Sequence, residues 1–403
     1  MIGVIGILVF MALAWGMSSA RGRIRWRTVA GAFAIQLGLG SLVFGVPHGR
    51  MALDWLSRRV TDAIGAGQAG VDFLFGGLVR DGGGMGFIFA FSVLPMIVFF
   101  SSLIAVLYQL GIMQRVIRVI GGFLRQVLGT SRAESMSAAA NIFVGQTEAP
   151  LVVKPHIARM TSSELFAVMV GGLASVAGSV MAGYAAMGVD MKYLLAASFM
   201  AAPGGLLYAK LMIPETGEPE EAELEFSEGE EPPCNVVDAA ALGASTGLRL
   251  ALNVGAMLLA FVGLIALANL LLGGLGGWLR MPDLSLQWIL GHVFSPVAWL
   301  SGVPADEMRQ GGSLIGQKFV LNEFVAYLDF TRMQPDLSEK ARAVCSVALC
   351  GFANLSSIAI LLGGLGGMAP GRRHEIARMG MKAVVAATLS NLTSAAIAGL
   401  FVM

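Results

Sequence analysis

Two carboxylates stand in otherwise apolar chain, each inside a break rich in Gly, Gln and Asn. Glu148 lies in Asn141-Ile-Phe-Val-Gly-Gln-Thr-Glu-Ala-Pro150 and Glu323 in Gly316-Gln-Lys-Phe-Val-Leu-Asn-Glu-Phe-Val325. An ionisable group at membrane depth is costly, so it marks a substrate or ion pathway. Gln146, Thr147 and Glu148 beside one break, and Glu323, Asn354 and Ser357 beside others, supply two carboxylates among neutral donors and acceptors. Lys154 and Lys318 are single, so the set holds no cationic cluster for an anion. The chemistry fits a neutral, polyhydroxylated molecule, because carboxylates are good acceptors for paired hydroxyls.

The positioning elements recur. Ser163-Glu164 begins 15 residues after Glu148, and Ser338-Glu339 begins 15 residues after Glu323. Each pair leads into an apolar helix with a small-residue interruption, Gly172-Leu-Ala-Ser175 in one and Gly351-Phe-Ala-Asn354 in the other. A hairpin followed by a broken helix, occurring twice, is the mark of a secondary transporter built from internal repeats. Freed backbone groups at such breaks are tolerated in hydrocarbon only where they line a cavity, and there they become ligands.

Composition points the same way. The chain of 403 residues is 56% hydrophobic and 13% charged, against roughly 25% charged in a soluble domain. Charge-free stretches cover 1–20, 28–49, 82–114, 165–189, 193–209, 250–279, 343–371 and 383–403. Most reach the ~20 residues that cross a bilayer. The expected fold is therefore an all-α polytopic membrane protein of about eight transmembrane helices. Two re-entrant hairpins of opposite orientation, inverted repeats and broken helices at the substrate site complete it. The abundant glycine suits close helix packing in lipid. A net charge of +1 gives no sign of a nucleic-acid partner.

Residues 1–20 end in Ser-Ser-Ala but lack a basic leading region, so they read as a span rather than a leader. Arg21, Arg23, Arg25 and Arg27 then anchor the cytoplasmic side, as do the clusters around Arg115–Arg132 and Arg372–Lys382. Both termini fall on the periplasmic side. The mixed charges from Arg50 to Asp81 read as a helix lying in the interface. Residues 111–129 read as a continuation of the third span. The stretch 214–234, dense in Glu with no Lys or Arg, reads as a solvated loop. The divisions are 1–130 (N-terminal spans, interfacial helix and scaffold helix), 131–212 (first repeat) and 213–248 (acidic cytoplasmic loop and connector). Residues 249–305 supply a scaffold helix and an external interfacial segment, and 306–403 the second repeat.

The motifs Gly145-Gln-Thr-Glu-Ala-Pro150, Ser175-Val-Ala-Gly-Ser-Val180, Asn322-Glu-Phe-Val-Ala-Tyr327 and Gly351-Phe-Ala-Asn-Leu-Ser-Ser357 together resemble the concentrative nucleoside transporter family, in order and spacing across 85–403. The resemblance implies a bacterial inner-membrane, multi-pass homotrimer embedded in lipid. It implies a sodium-driven symporter that imports uridine, related pyrimidine nucleosides and adenosine by an elevator-like movement. Gly145, Gln146, Thr147, Glu148 and Val180 are similar to the nucleobase-binding set. Glu323, Asn354 and Ser357 are similar to the ribose-binding set, with Phe352 as a wall beside it. Asn141, Val144, Ser175 and Val176 match the sodium site, whose oxygen ligands suit a hard cation. No other cofactor is implied. Keeping Asn141 and Ser175 favours sodium, while the titratable Glu323 leaves a proton-coupled symporter as the alternative.

Blander readings compete. Asn141 also fits a weaker reading as interhelical glue, and Ser175 one as a residue bonded back to its own helix. Glu148 or Glu323 could pair structurally with Lys154 or Lys318. Cys345 and Cys350 read as small hydrophobes, and Cys234 adds no metal-ligand spacing. A membrane-embedded enzyme needs a nucleophile–base pair or metal ligands, and no such motif stands in the sequence. A channel needs a pore ring and has no use for two matched hairpins.

Overall fold

The computed structural model describes residues 2–79, 88–220 and 233–402. Arg80, Asp81, the start of the third charge-free stretch and most of the acidic run lie outside them. The chain is all-helical, and among the described residues there is no strand. Among the described residues, six helices are long and apolar enough to cross a membrane: Trp26–Gly45, Phe89–Gln109, Ser162–Ala186, Met191–Met212, Val236–Trp278 and Pro370–Phe401. Ile2–Gly16 and Ser357–Met368 are shorter apolar helices at the places of the first and seventh expected spans.

Burial sorts these helices into two groups. Ser162–Ala186, Met191–Met212 and Pro370–Phe401 are largely enclosed, whereas Phe89–Gln109 and Val236–Trp278 leave most of their surface outside. The last two pack mainly on each other. Gly243 and Gly247 make that contact possible, since a Cβ there would fall 2.6 Å from Ala105 and 2.7 Å from Ser101. Small residues that let backbones approach are what association in lipid requires. Ser102 Oγ adds a 2.9 Å hydrogen bond to the Ala240 carbonyl.

The first hairpin consists of Arg132–Ala140, an irregular tip, and the short turns Ala149–Val153 and Lys154–Ile157. Its first arm starts with a capping box in which Ser131 and Glu134 satisfy each other's backbone amides. The second hairpin is Met308–Val320 and Glu323–Met333, separated by Leu321 and Asn322. The arms are too short to span, since 13 residues of α-helix rise about 20 Å. Each hairpin precedes an interrupted helix: Ser162–Ala174 then Gly178–Ala186, and Glu339–Leu349 then Ser357–Met368.

Three details differ from the sequence reading. Gly111 adopts φ +72°, so Ile112–Leu128 is a separate amphipathic helix and not a continued span. A left-handed residue there ends the preceding helix, and glycine takes that conformation without steric cost. The long helix begins at Val236, inside the expected connector, because Asn235 caps it by accepting from the amides of Val237 and Asp238. The matched Ser-Glu pairs also sit differently. In the first repeat Thr161 is the N-cap and Glu164 closes a capping box, whereas in the second Ser338 itself is the N-cap. There Glu307 supplies the carboxylate, accepting from Ser338 N and Oγ at 2.6 Å each.

Candidate functional site: a cavity between two hairpins and two broken helices

A cavity of about 450 Å³ lies where the hairpin tips and the helix breaks converge. It brings together every residue expected to touch base or sugar: Gly145, Gln146, Thr147, Glu148, Val180, Glu323, Phe352, Asn354 and Ser357. The long helix closes one wall with Leu250, Asn253, Val254 and Met257, none of which the sequence singled out. Asn253 gives a visible signal in hindsight, as an amide in an apolar helix.

The second hairpin places Glu323 at the first position of its second arm. Asn322 caps that arm, accepting from Val325 N at 2.9 Å. The carboxylate therefore sits at the positive end of a helix, which favours its charge. It accepts from Tyr184 Oη at 3.1 Å and from Asn354 Nδ2 at 3.0 Å. Tyr184 belongs to the second half of the first broken helix, so this bond links the two repeats. Sequence reading missed Tyr184. Only its burial, which the structure shows, marks its hydroxyl as needing a partner. Asn354 is committed at both ends, since its Oδ1 accepts from Ser356 Oγ at 2.7 Å and Ser357 N at 2.9 Å. Its position thus fixes Glu323 and starts the helix that carries Ser357.

Glu148 is held differently. Its Oε2 accepts the amide of Gly145 at 3.0 Å, folding the tip of the first hairpin on itself. The buried Oε1 of Gln146 has no partner. An orphaned acceptor in a dry site costs about 1–3 kcal/mol, so a ligand donor there is favourable. Gly364 lets the tip approach the second broken helix, since a Cβ there would meet Thr147 at 2.9 Å. Glu148 also borders a second cavity of about 380 Å³, lined by Tyr108, Gln114, Val144 and Ser179 among others. Neither Glu148 nor Glu323 pairs with a lysine among the described residues; Lys318 bonds to Ala348 O and Asn391 Oδ1 instead.

Asn141, Val144, Ser175 and Val176 are all buried where the first hairpin meets the first break. Both side-chain atoms of Asn141 lack a partner. Nothing among the described residues donates to the carbonyls of Val144 or Val176. Ser175 Oγ does bond back to Gly171 O at 3.0 Å, as the blander reading expected. A hydroxyl that donates once keeps its lone pairs, so this leaves it able to accept a cation. An unpaired amide oxygen, a hydroxyl and two free carbonyls are a donor set suited to a hard monovalent cation.

The two halves are stitched together by backbone. Phe352 N donates to Ser175 O at 3.1 Å, joining break to break. Gly178 N donates to Phe143 O at 2.9 Å, and Leu355 N to Phe319 O at 3.2 Å, so each hairpin holds the second half of its own broken helix.

Paired hairpins and interrupted helices around a polar cavity, among helices long enough to cross a membrane, define a secondary transporter and not an enzyme. Comparison with known proteins gives the family. Residues 5–78 and 193–399 match the models for the N-terminus and C-terminus of Na+ dependent nucleoside transporters, and residues 90–191 match a nucleoside-recognition gate model. The chain belongs to the concentrative nucleoside transporter family. It is 58% identical to an uncharacterized transporter of Haemophilus influenzae, over 99% of this chain and 97% of that one. It is 51% identical to the nucleoside permease NupC of Helicobacter pylori, over 99% and 97%. CNTnw in an inward-facing substrate-bound state is 60% identical, with a TM-score of 0.96 over 99% of this chain and 97% of that chain. A CNTnw variant in an outward-facing state gives 0.97, over 99% and 98%.

Proposed function

We propose that this transporter imports uridine, related pyrimidine nucleosides and adenosine by symport with sodium. The observation that carries the reading is the single cavity shared by the Glu148 tip and the Glu323–Asn354 pair. Its two ends differ in chemistry. Glu323 has about four lone-pair sites and uses two on protein donors, which leaves acceptors for a pair of ribose hydroxyls. Ser357 lies beside it and Phe352 forms a wall. At the other end Gly145, Gln146, Thr147, Glu148 and Val180 present amide, hydroxyl and carboxylate groups to a base edge. Sodium binds at Asn141, Val144, Ser175 and Val176. The unsatisfied oxygens there support this site, and the family's name supports the ion.

The hairpins act as re-entrant elements of two inverted repeats, and the unit they form slides against the long helices in an elevator-like movement. The sparse packing of Val236–Leu279 on anything but Phe89–Gln109 and the cavity rim supports that division. The inward-facing and outward-facing forms of CNTnw support two stable positions for such a unit. The protein works as a homotrimer in the lipid of a bacterial inner membrane, with both termini periplasmic. Arg21–Arg27 near the end of the first helix and the basic Ile112–Leu128 support that orientation.

The test is uptake of labelled uridine into proteoliposomes under an imposed sodium gradient, a proton gradient, or neither. Sodium-driven accumulation is expected, with about 2.3 kcal/mol per charge per 100 mV, which is roughly 50-fold. Accumulation driven by the proton gradient alone would assign the chain to the proton-coupled alternative.

A further inference from the structure

One buried charge has no role in the mechanism so far. Lys318 lies in the last turn of the first arm of the second hairpin, two residues before the arm ends at Val320, and is only 2% exposed. Among the described residues no carboxylate forms an ion pair with it. Its ammonium donates to two neutral oxygens, Ala348 O and Asn391 Oδ1, both at 2.8 Å. Burying a charge on neutral oxygens alone is expensive, so the position calls for a reason.

The surroundings supply one. Ala348 is in the last turn of the first half of the second broken helix, where carbonyls lack helical partners and the dipole presents its negative end. Asn391 reaches across from the last helix. Its Nδ2 donates to Cys350 O at 3.2 Å, at the second break, and to Ala174 O at 2.6 Å, at the first. Gly351 makes room for it, since a Cβ there would fall 2.3 Å from Asn391 Oδ1. Lys318 thus ties a hairpin, a helix break and a crosslink between both breaks.

The first half has the same construction with a different polar group one residue away from the corresponding place. Phe143 and Phe319 mark equivalent points, because each carbonyl holds the second half of the helix that follows. One residue before Phe319 stands Lys318, and two before Phe143 stands Asn141, whose buried amide is unpartnered beside the first break, as is Oε1 of its counterpart Gln317. Where one half has a polar side chain and free oxygens, the other has oxygens already gathered around an ammonium.

We propose that Lys318 is a tethered cation: its ammonium holds the second break as a sodium ion holds the first, so the second half takes no ion and each nucleoside is coupled to one sodium. This rests on the sodium reading given above. Lys318 is a positioning residue, acting on the Asn354–Glu323 side of the cavity through the shape of the break.

The experiment is uridine binding to the purified full-length protein, titrated across sodium concentrations, in wild type, Lys318→Met and Lys318→Ala. Wild type should respond to sodium in first order. Methionine fills the space without the charge, and the variant should bind uridine about tenfold or more weakly, as loss of charge-assisted hydrogen bonds implies. The alanine variant should be similarly weak but recover when sodium is raised or methylammonium is added, with a sodium order moving towards two. A methionine variant that binds like wild type overturns the proposal, as does an alanine variant that no cation restores. Should either variant fail to fold, the wild-type ratio of charge to nucleoside decides: reversal potentials in proteoliposomes should give one, and two overturns it. A wild type indifferent to sodium would instead sink the sodium reading itself.

Discussion

Glu323 is the carboxylate on which two donors from different repeats, Tyr184 and Asn354, converge. Removing it in Glu323→Ala takes away the proposed ribose acceptor and strands Tyr184 Oη and Asn354 Nδ2, which both donate to it. Losing a hydrogen-bonded charge costs roughly 1.5–3 kcal/mol or more, so uridine affinity should fall at least about tenfold. Calorimetric titration of the variant checks this, and unchanged affinity would remove Glu323 from the site. Glu323→Gln should fall between, because its amide nitrogen turns one acceptor into a donor facing donors. At the other end, Gln146→Met removes the unpaired Oε1. It should change the ratio of uridine to adenosine binding more than the penalty for a deoxyribonucleoside. A panel of base-modified and deoxy nucleosides separates the two, and the reverse pattern would refute the division of labour. The carboxylates were legible in the sequence because a charge in apolar chain stands out. Tyr184 and Asn391 were not. Their importance comes from what they reach across the fold, and spacing along the chain carries no trace of that.

At the scale of elements, the breaks explain how an ion can govern a nucleoside site. Asn141 and Ser175 flank the joint between the first hairpin and the first broken helix, and Ser175 O also holds Phe352 N beside the cavity. An ion bound there fixes both tip and break, so sodium and nucleoside should raise each other's affinity, reciprocally. Asn141→Ala or Ser175→Ala should shift the sodium half-saturation upward first and weaken uridine only through it, with high sodium restoring most of the loss. Uridine titrations at several sodium concentrations and fixed pH measure this. A loss that sodium leaves untouched would place the ion elsewhere. Gly351→Ala tests the second break. Its Cβ would press on Asn391, which holds both breaks. Overpacking of this kind costs about 1–3 kcal/mol, so the purified variant should melt below wild type. The hairpins and interruptions were readable because Gly, Ser, Asn and Pro punctuate apolar helices. The turn at Gly111 escaped reading because apolar residues continue on both sides of it, and only the left-handed backbone reveals the reversal.

For the whole molecule, the sequence announced spans but not which of them move together. Both kinds of helix are apolar enough to cross a membrane, so length and apolarity alone do not say which is buried inside protein and which faces lipid. The structure separates them: Val236–Leu279 packs along Phe89–Gln109 and meets the hairpin unit at the cavity. If that pair is the fixed frame, a crosslink within it should leave transport intact, and one from it to the hairpin unit should stop transport. Cysteines at Ser102 and Ala240, which touch within the frame, form the control. Cysteines at Val254 of the long helix and Phe324 of the second hairpin, which both line the cavity, form the test. Both are made with Cys234, the exposed native thiol, replaced by serine. With a short bifunctional thiol reagent, uridine uptake should survive in the first and collapse in the second, and reducing a cleavable linker should restore it. Sodium-dependent uridine binding should persist in the second pair at one membrane face, because the residues proposed to touch base and sugar all belong to the hairpins and broken helices. Uptake that continues with the hairpin unit tied to the frame would rule out sliding and leave local opening of the hairpin tips as the way across.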